Sequence, residues 1–183
     1  MDNIYLDKIL SGDRHAFRYF ISTYKDMAFS VAISMVKNEL FAEEVVQDSF
    51  VEAYLSLGSF KKQAKFSTWF YKIVVRTAYK YRQKNKISDV EFVIEKHDQS
   101  AFENIEQQLL KKEQSQIINE ALLKIPANES LLLRLFYLEE LSVKEIVEIT
   151  GWTESNSKVI LHRARKSLST VMKGLTLNLN YGS

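Results

Sequence analysis

The sequence predicts an all-α protein built as two small helical domains joined by a flexible acidic linker. Among its 183 residues are five glycines and one proline, too few for a loop-rich sheet protein, while the helix formers Leu, Lys, Glu and Gln are plentiful. Apolar residues recur at helical spacing from Asp13 to about Ile87, and again from about Ile105. Between these stretches, 88–104 is acidic and poorly periodic, with only scattered Phe and Val. At 46% hydrophobic residues the chain can fill one or two small cores.

The first domain is expected over 1–87, with three or four helices broken near Asn38 and again over Gly58 to Lys65. The stretch from Glu39 to Glu52 carries Glu39, Glu43, Glu44, Asp48 and Glu52 and no base. As a helix it turns Ala42, Val46, Phe50, Ala53 and Leu57 inward and leaves Glu44, Gln47, Asp48, Val51 and Leu55 on the other side. Acids beside exposed Val51 and Leu55 fit a protein-binding surface, although a solvated face has the same spacing.

The next stretch reverses the charge. From Lys61 to Lys86 there are nine bases and no acid. Ser67 or Thr68 is placed to cap a helix running through Arg82, with Phe66, Trp69, Phe70, Ile73 and Thr77 inward. Tyr71, Lys72, Val75, Tyr79 and Arg82 then point outward, with Arg76 at the boundary. Cations that follow a phosphate backbone, mixed with aromatic rings that stack on unpaired bases, suit single-stranded or opening DNA. The candidate set is Lys61, Lys62, Lys65, Tyr71, Lys72, Arg76, Tyr79, Lys80 and Arg82. A structural alternative has Tyr71 packing back on Phe66 across the helix start.

The second domain is expected over 105–174, at the end of an acidic block, Asp89 to Glu106, that has six acids against Lys96. Its first helix runs to about Lys124 and stops before Pro126, because the residue ahead of a proline is steered out of the α region. A further helix covers Glu129 to Leu138. Ser142 and Glu145 form a capping box for a short helix that ends at Gly151. Thr153 or Ser155 caps the next, whose inner stripe is Ser157, Leu161, Ala164 and Leu168. Two short helices joined by a glycine-containing turn, the second basic, describe a helix-turn-helix.

The outward face of that second helix carries Ser155, Asn156, Val159, His162, Arg163 and Lys166, and Lys158 joins them as a candidate DNA contact. Arg163 and Lys166 suit phosphates or a guanine edge, Asn156 suits adenine and Val159 a thymine methyl. The same spacing also describes a helical hairpin with a solvated basic surface. The tail, 175–183, carries no readable function.

Other classes are poorly served. His15, His97 and His162 lie in different segments, there is no cysteine, and no phosphate-cradling glycine loop occurs, so no enzyme, metal site or cofactor is expected. The missing cysteines exclude disulfides and suit a reducing compartment. The start, MDNIYLDKILSGD, has acids where a signal peptide needs bases, and no apolar run approaches membrane-spanning length. A cytoplasmic protein without direct membrane insertion is the expectation.

Taken together, AFRYFISTYKDMAFSVA, FAEEVVQDSFVEAYLSLGSF and FSTWFYKIVVRTAYKY, followed by IPANESLLLRLFYLEELSVKEIVEITGW and LHRARKSL, resemble the sigma factors of bacterial RNA polymerase. The resemblance is to the small two-domain extracytoplasmic-function (ECF) group and covers about Asp13 to Leu168. It implies that Glu44, Gln47, Asp48 and their neighbours dock on the clamp coiled coil of the polymerase largest subunit. It implies that Lys61 to Arg82 bind and open the minus-ten promoter element, and that Asn156 to Lys166 read the minus-thirty-five element. The linker would thread past the polymerase active-site channel, the second domain would meet the polymerase flap, and an anti-sigma factor is an expected partner.

Two departures from the family pattern stand out. Arg76 occupies a position where members often carry Asn, and Ser155-Asn156-Ser157-Lys158-Val159-Ile160 replaces a common Gly-Thr-Val-Lys-Ser-Arg run, so the promoter sequence is not readable from these residues. The rival reading is an autonomous helix-turn-helix regulator that binds duplex DNA by itself.

Overall fold

The computed structural model describes residues 1–87 and 107–180, and of the helical stretches 107–115 and 176–180 it describes the backbone alone. The expected acidic linker, 88–104, lies outside the described residues, as does the end of the tail, 181–183. Eight α-helices form among the described residues, and no strand does.

The first helix, α1 (Asp2–Leu10), lies ahead of the stretch in which periodicity announced helices. It is anchored by Leu6, which is fully buried, and by the Asp2 carboxylate, which accepts hydrogen bonds from the Tyr19 and Tyr24 hydroxyls at 2.9 and 2.6 Å. A 3₁₀ turn, Arg14–Phe17, leads into α2 (Arg18–Val36). That helix stops where Lys37 adopts a left-handed conformation, φ 56°. Asn38 then caps α3 (Glu39–Ser56), its side chain accepting from the Phe41 N–H at 3.0 Å.

A second 3₁₀ turn, Leu57–Ser59, and the basic loop lead to α4 (Phe66–Lys84). Neither Ser67 nor Thr68 caps it. The helix already begins at Phe66, with Lys65 in the cap position and no side-chain cap, and Thr68 is turned into the protein, 4% exposed. Helices α2, α3 and α4 close on an aromatic cluster in which Phe20 meets Phe66 at 4.2 Å and Phe50 meets Phe70 at 4.7 Å between ring centroids.

In the second half, α5 (Gln107–Lys124) ends before Pro126 as expected. Helix α6 (Ala127–Leu133) starts two residues earlier than the spacing indicated, directly after Pro126. It then widens into a π-type turn over Arg134–Leu138, closed by the Glu139 N–H on the Arg134 carbonyl at 3.0 Å. The capping box at the head of α7 (Val143–Thr150) is present in both directions, and Gly151 ends the helix at φ 74°. Helix α8 (Glu154–Asn180) carries on past Gly174. The apolar interior is continuous between the halves, with α6 against α2 and α7 against α4.

Candidate nucleic-acid interface

Helix α3 splits as its sequence indicates. Ala42, Val45, Phe50, Ala53 and Leu57 are buried and Val46 half-buried, while Glu44, Gln47, Asp48, Val51 and Leu55 are exposed. Val51 is 58% and Leu55 78% exposed, so two large apolar side chains face water within an acidic surface.

The basic loop also lies open. Lys61, Lys62 and Lys65 are exposed, and Lys62 is held by an ion pair to Asp7 of α1, which ties the loop to a helix that periodicity did not reveal. Its bend is local, since Lys62 itself takes φ 56°. Behind the loop, Phe60 packs on the half-buried Trp69 with ring centroids 5.0 Å apart.

Along α4, Ile73, Thr77, Phe66 and Phe70 are buried as expected. Lys80 and Arg76 are exposed, and Arg76 reaches across to pair with Glu52 of α3. The outward placement of Tyr71 and Val75 requires correction: they are 3% and 2% exposed, because α7 packs against α4 and Glu139, just past the π-type turn, reaches Tyr71. The Tyr71 hydroxyl donates to the Glu139 carboxylate rather than packing across the helix start, and burial together with that hydrogen bond raises its pKa far above the ordinary tyrosine value.

Lys72 donates to Glu148 Oε1 at 2.7 Å, and the Tyr79 hydroxyl donates to Asn128 Oδ1 at 2.8 Å. Arg82 is likewise not simply solvent-facing. Its guanidinium donates to the Met35 carbonyl near the end of α2, satisfying a group that the helix terminus leaves without an intrahelical partner.

On α8 the inner stripe is seated as the sequence predicts. Ser157, Leu161 and Ala164 are buried and Leu168 is half-buried. The Thr153 hydroxyl caps the helix by accepting from the Asn156 N–H at 3.2 Å. Ser155, Asn156, Lys158, Val159, His162, Arg163 and Lys166 are all exposed on one basic strip. Lys158 is paired with Glu154 at 2.6 Å one turn earlier. Arg165, one turn beyond Leu161 and so beside the inner stripe, donates from Nε to the Tyr137 hydroxyl at 2.8 Å and so fixes α8 to the π-type turn.

Sequence reasoning missed the buried Arg134. Only 5% exposed, it donates to Ser30 Oγ of α2 at 2.7 Å and to Asn119 Oδ1 of α5 at 3.0 Å, and burial lowers its pKa to about 10, which leaves it charged at neutral pH. Its position in an apolar run, LLLRLF, is the one available signal. Among the described residues no group of three or more His, Asp or Glu side chains is placed to hold a metal ion. No described helix is long and apolar enough to cross a membrane.

An acidic and apolar helix, a basic loop with an aromatic and basic helix, and a helix-turn-helix define a helical protein with several distinct charged surfaces, two of them suited to DNA. Comparison with known proteins makes this specific. Residues 20–87 match the family model of sigma-70 region 2, and residues 115–168 match that of sigma-70 region 4. The chain is 35% identical to the RNA polymerase sigma factor YlaC of Bacillus subtilis, over 72% of this chain and 77% of the relative. It is 28% identical to the ECF RNA polymerase sigma factor SigW of the same organism, over 93% of this chain and 96% of SigW.

Among solved structures, the sigma factor RpoE in complex with the anti-sigma factor NepR from Bartonella quintana shares the fold. It superimposes with a TM-score of 0.61 and 22% identity, over 86% of this chain and 96% of that one. The chain belongs to the sigma-70 family of RNA polymerase sigma factors, in its extracytoplasmic-function group. It is an alternative sigma factor that directs promoter recognition.

Proposed function

We propose a division of labour among the three surfaces. The exposed face of α3, with Glu44, Gln47, Asp48, Val51 and Leu55, docks on the clamp coiled coil of core RNA polymerase, its acids steering the approach and its two apolar side chains being covered on contact. The strip on α8 enters the major groove at the minus-thirty-five element, where Arg163 and Asn156 meet base edges and Lys158 and Lys166 meet phosphates. Lys61, Lys62, Lys65, Lys72, Arg76, Lys80 and Arg82 follow the backbone of the minus-ten strand, and Tyr71 and Tyr79 stack on its bases as they unpair.

On this reading the region-2 domain spans 1–87, the linker 88–104 and the region-4 domain 105–174. The protein acts in the cytoplasm, where polymerase and promoter DNA are. It carries no reaction centre of its own: polymerase supplies the chemistry, and this chain supplies recognition and strand separation. An anti-sigma factor that covers the same surfaces is the expected regulatory partner; the similar structure of RpoE from Bartonella quintana is a complex with an anti-sigma factor, NepR.

The observation that carries the reading is the coexistence of an unpartnered acidic and apolar face on α3 with two separate basic surfaces in one chain. A regulator acting alone has no use for the α3 face. The test is promoter-duplex binding with and without core polymerase. Specific binding that appears only when polymerase is added is expected; tight, sequence-specific binding by the chain alone would favour the autonomous helix-turn-helix regulator.

A further inference from the structure

The basic loop is held at two points. At its start Phe60 packs on Trp69 and meets Phe66, with ring centroids 5.0 and 5.9 Å apart, and in its middle Lys62 is paired with Asp7 of α1. Left to itself the loop has little reason to keep one shape. Its five residues, Lys61-Lys62-Gln63-Ala64-Lys65, include no glycine, yet Lys62 bends at φ 56°, a conformation that a Cβ disfavours. Three like charges in five positions also repel one another.

The helix that supplies Asp7 is itself firmly seated. Tyr5 stacks on Tyr19 with centroids 3.9 Å apart, Leu6 is buried, and the Asp2 carboxylate accepts from Tyr19 and Tyr24. Asp7 follows the buried Leu6 directly, so the tether of the loop sits next to the anchor of the helix.

We propose that α1 is a brace for the basic loop and that Asp7 is a positioning residue for capture of the minus-ten strand: through Lys62 it sets the bend of the loop before DNA arrives. The inference rests on the assignment of this loop to that strand. A loop already bent loses less conformational freedom on binding. The pair is partly exposed, Lys62 by 37% and Asp7 by 67% of their side chains, so losing it lowers the bent fraction by about two- to fivefold. The sign of the effect separates a brace from plain charge. Removing an acid beside a DNA-binding loop strengthens attraction to phosphates, whereas removing a brace weakens capture.

Asp7→Asn is compared with the conservative Asp7→Glu and with Asp26→Asn, which removes one exposed charge on α2. Because Phe60 lies on Trp69, acrylamide quenching of Trp69 reports the hold on the loop, read in a Trp152→Phe background that leaves Trp69 as the one tryptophan. Strand capture is read in chains with both tryptophans, as permanganate reactivity of unpaired thymines on a promoter fragment recovered by run-off transcription with core polymerase. Stronger quenching and about two- to fivefold weaker opening are expected for Asp7→Asn. Asp7→Glu and Asp26→Asn match the wild type, and all four chains melt alike.

Unchanged quenching in Asp7→Asn overturns the inference, as does opening that is unchanged or increased, or a loss that Asp7→Glu or Asp26→Asn shares. A melting temperature that falls in step with both readouts marks a merely structural role and overturns it too. Lys61→Ala/Lys65→Ala tests the underlying assignment separately. Weaker opening in that variant beside wild-type behaviour of Asp7→Asn sinks the brace alone; full opening without the two lysines sinks the assignment of the loop.

Discussion

Truncating Val51 and Leu55 to alanine tests the docking face where its energetics are simplest. Both side chains already face water, so the folded chain loses almost nothing when they shrink; surface changes of this kind stay within about 0.5 kcal/mol. If polymerase covers them, the loss appears in binding. Leu→Ala removes three carbons and Val→Ala two, each worth about 0.8 kcal/mol on full burial. Scaled by their exposures of 78% and 58%, the two truncations cost about 1.9 and 0.9 kcal/mol of docking energy, or roughly a hundredfold in affinity together.

The assay is anisotropy of the chain, labelled at one introduced cysteine, titrated with core polymerase, with thermal unfolding as the control on the fold. A double variant that unfolds like the wild type but binds core about a hundredfold more weakly is expected. Unchanged affinity would show that the α3 face is merely solvated and refute the docking assignment.

Three further outcomes are expected. Glu44→Lys/Asp48→Lys abolishes co-purification with core polymerase while the circular dichroism spectrum and melting curve are retained. Arg163→Ala weakens recognition of the upstream element by about 1–3 kcal/mol if it makes a bidentate base contact, and competition between specific and random duplexes reads this, an equal loss on both marking a phosphate contact instead. Ser142→Ala destabilises the second half by about 1 kcal/mol at neutral pH in urea unfolding.

The capping box also sets a pH dependence. The Ser142 hydroxyl and N–H donate to the Glu145 carboxylate at 2.7 and 2.9 Å, the hydroxyl bond being the larger cause of a pKa below the ordinary glutamate value. A carboxyl depressed on folding stabilises the protein above its unfolded pKa, and that contribution is lost as pH falls through the folded one. The gap between wild type and Ser142→Ala therefore narrows on acidification.

Most local signals were legible, the Ser67 or Thr68 cap of α4 being the exception, and long-range ones were not. The inward and outward sides of α3, the Ser142 box, the stop at Gly151 and the basic strip of α8 depend on residues within one or two turns of each other, and all stand as the spacing indicates. Tyr71 and Val75 were read as outward for the same reason: their burial comes with the packing of α7 on α4 and the reach of Glu139 to the Tyr71 hydroxyl, contacts that no local spacing announces.

The first helix escaped periodicity because it is nine residues long and is fixed largely by Asp2 meeting Tyr19 and Tyr24, partners 17 and 22 positions away. The same applies to Arg134. A cation inside an apolar run reads as an anomaly until Ser30 and Asn119 are placed beside it.

The most direct test of the central claim is run-off transcription with purified core bacterial RNA polymerase on genomic DNA fragments, with and without this protein. Discrete start sites that depend on its addition are predicted. An unchanged transcript pattern, alongside tight DNA binding by the chain alone, would contradict the account.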